Sequence, residues 1–162
     1  VFTSRTFERE AQRILKEVEE ECAWMYETLH TDGKTPGRIN FTVWSDVFIC
    51  SHCGAELIFW DVAIDQKNGE VKDTWDCSSC GTVLAKNPGK DSNALKVDRA
   101  WETVFDRALG KTVRQAKRFP VIINYTVGKK RYEKRPDVND LKAIQKIDDG
   151  DILYNFTKNQ LH

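Results

Sequence analysis

Apolar residues first recur at helical spacing. Phe7, Ala11, Ile14, Val18, Cys22 and Met25 follow one another at intervals of three and four, which predicts a helix from about Thr6 to Leu29 with one apolar face. Thr3, Ser4 and Thr6 offer N-caps, and Asp32-Gly33 with Pro36-Gly37 stops the pattern. Cys22 falls on the apolar face and reads as a small buried hydrophobe, whereas Glu19-Glu20-Glu21 reads as a solvated face.

The period then changes to two. From Ile39 to Ile49, Phe41, Val43, Val47 and Ile49 alternate with Thr42, Trp44, Asp46 and Phe48, the pattern of a strand. Glu56 to Ile64 and Val71 to Trp75 flank Asn68-Gly69, a short hairpin signal. After Thr82 to Ala85 comes a loop-like run, Lys86 to Asn93. Two further strand pairs follow: Ala100 to Phe105 with Thr112 to Gln115 through Leu109-Gly110, and Val121 to Val127 with Arg131 to Lys134 through Gly128-Lys129. Pro136-Asp137 opens a short helix with Leu141, Ile144 and Ile147 on one face, closed by Asp148-Asp149-Gly150. The expected class is α+β: an N-terminal amphipathic helix, a four-cysteine zinc ribbon, then β-hairpins and a short C-terminal helix. The segments are 1–38, 39–85 and 86–162.

The ribbon follows from the cysteines. Cys50-Ser51-His52-Cys53-Gly54 and Cys77-Ser78-Ser79-Cys80-Gly81 are matching signatures separated by 23 residues between Cys53 and Cys77. Cys50, Cys53, Cys77 and Cys80 therefore suit a tetrahedral four-thiolate site, with structural zinc as the expected cofactor and rubredoxin-like iron as its rival. A redox CxxC normally occurs once, at a helix start, and disulfides need an oxidising compartment for which no secretion signal speaks. Four thiolates close the shell, unlike catalytic zinc sites, which keep one position open. His52 reads as a solvent-facing knuckle residue. Trp60 and Trp75 read as cover for the small ribbon core, with base stacking as the sharper alternative.

Composition narrows the function classes. The 162 residues are 40% hydrophobic, enough for a core, and 25 basic side chains balance 25 acidic ones. No general polyanion-binding excess exists, so nucleic-acid contact must be local. No stretch is long and apolar enough to span a membrane, and the chain reads as soluble and cytoplasmic. It begins at Val1, and its one methionine, Met25, lies inside the helical pattern, as expected of a piece of a longer protein. Charge is nevertheless segregated. Arg107 to Arg135 holds ten basic residues against Glu133 alone, a net of +9, whereas Phe41 to Cys80 holds seven acids and two lysines. Arg114, Lys117, Arg118, Lys129, Lys130 and Arg131 are the candidate phosphate contacts. The competing reading is a solvated basic face or an intramolecular match to the acidic helix. No glycine-rich phosphate loop, GxSxG elbow or HExxH helix is present, and neither His30, His52 nor His162 has an evident general-base partner in the sequence.

Several runs carry a resemblance. They are Trp24 to Gly33 (WMYETLHTDG), Thr42 to Phe48 (TVWSDVF), Phe59-Trp60-Asp61, Arg114 to Lys117 and Ile123 to Gly128 (INYTVG). Together they resemble the zinc-ribbon region of large bacterial and archaeal DNA methylases. The resemblance implies amino-methyltransferases that move a methyl group from S-adenosylmethionine to adenine N6 or cytosine N4, adenine being the commoner target. That family's (D/N/S)PP(Y/F) signature and FxGxG-like loop are missing from this sequence. What is implied is an accessory region: S-adenosylmethionine belongs to the parent enzyme, and the partners are the remainder of the methylase and, through it, DNA.

Overall fold

The computed structural model describes residues 4–90, 92–106 and 109–149. Thr3, Asp91, Arg107, Gly150 and His162, which entered the sequence reading, lie outside them. The fold is α+β, with an N-terminal helix, clustered cysteines, several small sheets and a short C-terminal helix. In chain order the elements are α1 (Ser4–Cys22), a 3-10 turn (Ala23–Tyr26), β1 (Glu27–Leu29), β2 (Pro36–Ile49), β3 (Glu56–Ile58), α2 (Phe59–Ala63), β4 (Trp75–Asp76), β5 (Val83–Ala85), β6 (Leu95–Lys96), β7 (Asp98–Arg99), β8 (Trp101–Asp106), β9 (Lys111–Ala116), β10 (Arg118–Val127), β11 (Lys130–Lys134) and α3 (Val138–Asp148). No helix among the described residues is long and apolar enough to cross a membrane. The described residues form two compact units: those within 43–121, and those within 1–42 together with those within 122–162.

In the discontinuous unit, strands run in the order β1-β2-β10-β11. β1 pairs antiparallel with β2 and β10 with β11, Tyr125 facing Tyr132. Tyr125 and Ile123 are buried on one side of β10. The Tyr125 hydroxyl lies 2.7 Å from Nδ1 of His30, the histidine whose partner sequence did not reveal. α3 starts where Asp137 accepts bonds from the amides of Asn139 and Asp140 while Asp140 accepts from Asp137 N, a reciprocal cap.

The first helix is shorter than its apolar repeat predicts. It ends at Cys22, and Glu27–Leu29, expected as its last turn, is strand. The cause is tertiary: β1 gains ladder partners in Pro36–Arg38, and buried Thr28 donates its hydroxyl to Asp140 at 2.5 Å. Pro36-Gly37, read as a stop, opens β2 instead, and the turn is made by residues 30–35, with Gly33 at φ 70°. Cys22 is only half-buried, and α1 buries no residue among those described.

In the 43–121 unit the core gathers Phe48, Leu57, Phe59, Ala63, Trp75, Leu84 and Val97 around Cys50 and Cys77. β2 pairs here with β3 and β7, β4 with β5, and β5 in parallel with β6. Val47 and Phe48 are adjacent yet both buried, so this end of β2 is covered on both faces, while Phe41, assigned by alternation to the buried face, is 53% exposed. The Glu56–Ile64 run departs from the strand reading. After three residues it winds into α2, because Phe59 and Ala63, four apart, both enter the core. The Asn68-Gly69 turn forms with Gly69 at φ 73°, but its ladder shrinks to one bridge, Ile64 to Val71.

Candidate functional site

Each cysteine pair sits on a turn built by the same backbone bonds. In the first, Cys50 N donates to Ala55 O (2.9 Å) and Gly54 N to Cys50 O (2.8 Å); in the second, Cys77 N donates to Thr82 O and Gly81 N to Cys77 O, both 2.9 Å. Closing these turns takes Gly54 to φ 75° and Gly81 to φ 72°, a region open to glycine at little cost. β2 delivers the first turn and β4 the second.

The turns aim four sulfurs at one point. Cys50 Sγ lies 3.8 Å from Cys80 Sγ and Cys53 Sγ 3.8 Å from Cys77 Sγ, and all four fall within 4.8 Å of one another. A tetrahedron of thiolates around zinc at the usual bond length of about 2.3 Å has edges of about 3.8 Å. The donor set thus fits a four-coordinate soft metal ion. Cys50 and Cys77 are buried and Cys53 and Cys80 exposed, so one side of the site is bedded in the core and the other faces solvent. His52 is exposed, as its place in the knuckle implies.

Local dipoles prepare the sulfurs for a cation. The amide of Cys53, against the cost of burial and with help from the amide of His52, holds the Cys50 thiol below its ordinary value. The Thr82 hydroxyl, 3.3 Å away, and the Thr82 amide push Cys80 down to about 5. The Ala55 amide acts in the same sense on Cys53, yet Cys80, Cys50 and Cys77 crowd it so closely that its thiol is pushed up to about 11. Four thiolates at this spacing repel one another, and a bound dication removes the conflict.

Core aromatics buttress the cluster. Phe59 meets Trp75 edge-on with centroids 5.3 Å apart and Phe48 at 5.5 Å. Lys86 Nζ caps the Phe59 ring at 3.6 Å. Trp75 is buried, in keeping with a covering role and out of reach of a base; Trp60 is half-buried.

The candidate phosphate contacts occupy different settings. Lys129, in the β10–β11 turn closed by Gly128 at φ 61°, and Lys130 and Arg131, the first two residues of β11, are all exposed. Arg114 is exposed on β9, its guanidinium 4.7 Å over the Trp101 ring, and Arg118 is exposed at the start of β10. Lys117 instead donates to both carboxylate oxygens of Glu56, at 2.9 and 2.7 Å. Lys134, part of the same basic run, is buried against Asp137 and Asp140. Of the six candidates, Arg114, Lys117 and Arg118 belong to the 43–121 unit and Lys129, Lys130 and Arg131 to the other.

Two features escaped the sequence reading. The Lys134–Asp140–Thr28 network spans residues far apart in sequence, and no local motif joins them. The outward aromatics of β8, Trp101 and Phe105, had no local signature beyond strand propensity. Comparison with family models, curated proteins and solved structures finds no match to the chain.

Proposed function

We propose that the chain is a zinc-stabilised, DNA-contacting accessory segment of an S-adenosylmethionine-dependent DNA methyltransferase, adenine-specific by resemblance and without catalytic groups of its own for methyl transfer. Zinc is preferred because it favours a closed tetrahedral thiolate shell and carries no redox demand; iron is the competing ion. Cys50, Cys53, Cys77 and Cys80 would hold it, and its part is to lock the two turns against each other.

The observation that carries the DNA reading is the exposure of Lys129, Lys130 and Arg131 in succession at one end of the β10–β11 hairpin, where none has an ion-pair partner among the described residues. A hairpin end carrying three cations in succession suits the phosphate backbone, which fixes a protein's position on DNA without reading sequence. Base readout and release of the target base from the stack would involve the parent enzyme. The methylase context itself rests on the quoted resemblance.

Salt dependence tests the proposal. Lys117 is already neutralised by Glu56, so Arg114, Arg118, Lys129, Lys130 and Arg131 remain, and five contacts give a log-log slope of about −4.5 at about 0.9 counterion each. Alanine at 129, 130 and 131 together should flatten that slope by about 2.7 and weaken binding to all sequences alike. An unchanged slope and affinity would favour the second reading, a ribbon that docks on the parent enzyme or a partner protein. That reading draws on one observation: Lys117 and Lys134 are spent on carboxylates within the chain.

A further inference from the structure

β8 and β9 form a two-stranded sheet and, among the described residues, ladder only with each other, Trp101 facing Ala116, Thr103 facing Arg114 and Phe105 facing Thr112. Facing residues of an antiparallel pair project to the same side, and alternate residues to opposite sides. One face therefore carries Trp101, Thr103, Phe105, Thr112 and Arg114. The other carries Glu102, Val104, Asp106, Lys111, Val113 and Gln115.

The amphipathic sense is reversed. A strand with one wet face normally turns its aromatics inward and its carboxylates outward. Here the valine and carboxylate side is the half-covered one, with Gln115 donating to Glu102 at 2.9 Å, while Trp101 and Phe105 stand 50% and 62% exposed. Both ribbon carboxylates lie on the covered side, so the open face holds two large rings, two hydroxyls and one guanidinium, with no acid. Such a face offers flat apolar surface with one guanidinium and no carboxylate beside it.

The spacing adds a constraint. Trp101 and Phe105 are four residues apart along one strand, about 14 Å at ~3.4 Å per residue. The backbone of Arg114 stands opposite Thr103, and its guanidinium is seated over the Trp101 ring at 4.7 Å. A guanidinium stacked on one ring, with a second ring further along the strand, offers two flat platforms for bases and one donor group for a phosphate. Duplex DNA hides the faces of its bases in the stack, whereas an unpaired strand presents them to aromatic side chains.

We propose that the open face of the β8–β9 ribbon binds single-stranded DNA, one base stacking on Phe105 and another on the Trp101–Arg114 pair, whose guanidinium also offers donors to a neighbouring phosphate. The choice of DNA rests on the function proposed above; the ring face and its preference for unpaired strands do not depend on the basic turn. In an enzyme that extrudes a base, the locally unpaired strand is the species such a face would receive.

The test uses the full chain, loaded with metal, and fluorescence anisotropy of a roughly 20-nucleotide mixed-sequence single strand, longer than typical site sizes, and of its blunt duplex. The single strand should bind more tightly. Trp101→Ala and Phe105→Ala should each weaken single-strand binding by about 5- to 100-fold while leaving duplex binding and the salt slope as they were, and Trp101→Phe should retain most of the affinity. Both positions are exposed, so unchanged melting and metal content will show that the variants fold. Duplex binding with the expected salt slope, together with alanine variants that bind single strands like the wild type, would overturn this inference and leave the DNA-contacting function standing. Failure of the wild type to bind either probe would remove both. Ring variants that convert a self-associating chain to monomers in sedimentation would assign the face to protein contact and overturn it as well.

Discussion

Lys134 Nζ lies 2.8 Å from the carboxylate of Asp140, with the two side chains only 7% and 4% exposed. Asp137 adds a second oxygen at 2.7 Å and Thr28 a hydroxyl on Asp140, so one buried ammonium joins β1, β11 and the start of α3. Removing one partner of such a pair leaves a charge without compensation, which is costlier than removing both. Asp140→Ala is expected to destabilise the protein by about 3 kcal/mol, the low end for a broken buried pair because Asp137 remains. Urea denaturation measures it; a loss below about 1 kcal/mol, the worth of one ordinary hydrogen bond, would show that the pair is not holding the unit.

Gly37 of β2 leaves room for the Tyr125 ring. A Cβ built at Gly37 would stand 2.6 Å from Tyr125 Cδ2, and Tyr125 is fully buried with its hydroxyl fixed on His30, so the ring has nowhere to go. Gly37→Ala should therefore cost about 1–3 kcal/mol by overpacking. Gly89→Ala, which meets no atom within 4 Å, is the control and should stay within about 0.5 kcal/mol. Equal melting temperatures for the two variants would contradict the argument.

Legibility followed the range over which the deciding forces act. The cysteine turns were readable because CxxCG encodes a local backbone path, and the β10–β11 hairpin because Gly128 supplies the positive φ that its turn needs. The residues around Thr28 were not: a helical repeat reaches Leu29, but the ladder with β2 and the distant Asp140 carboxylate outweigh it. Gly37 looked like a chain stop because the ring that requires it lies 88 positions later in the sequence. The outward rings of β8 were invisible for a related reason. Alternation gives two faces but does not say which one the rest of the unit covers.

Asp32 organises the β1–β2 turn by accepting from Thr35 Oγ1 at 2.6 Å and from the Thr35 and Lys34 amides, each at 2.9 Å. The Thr35 hydroxyl, then the Thr35 and Lys34 amides, lower its carboxyl from 3.8 to about 2. The folded value lies below the unfolded one, so this stabilisation is complete above the ordinary carboxylate range and is lost as pH falls toward about 2. Lys134 acts in the opposite sense: burial lowers its affinity for the proton, but the bonds and charges of Asp137 and Asp140 prevail and raise it. Its contribution is therefore present below the usual lysine range and lost only as pH climbs through the raised value. Carbon-detected NMR should find Asp32 titrating near 2, and Thr35→Val should return it toward 3.8. An Asp32 midpoint near 3.8 in the wild type would mean that the turn bonds do not persist in solution.

The metal should be inseparable from the order of the 43–121 unit. Its core is small and includes two of the sulfurs, so ion binding free energy adds directly to folding free energy. Purified, reduced protein is expected to carry one zinc per chain, and Cys77→Ser to lose it. Cys22→Ser, which alters a half-buried thiol on α1, should leave the stoichiometry at one. Hydrogen exchange then discriminates local from global effects: in the Cys77→Ser protein the amides of Leu84 and Val97 should lose protection by a larger factor than those of Ile123 and Tyr125, which lie in the other unit. Protein containing neither zinc nor iron, yet protected at Leu84 and Val97, would show that the four thiols are packed without a metal and that the ribbon stands on its aromatic core alone.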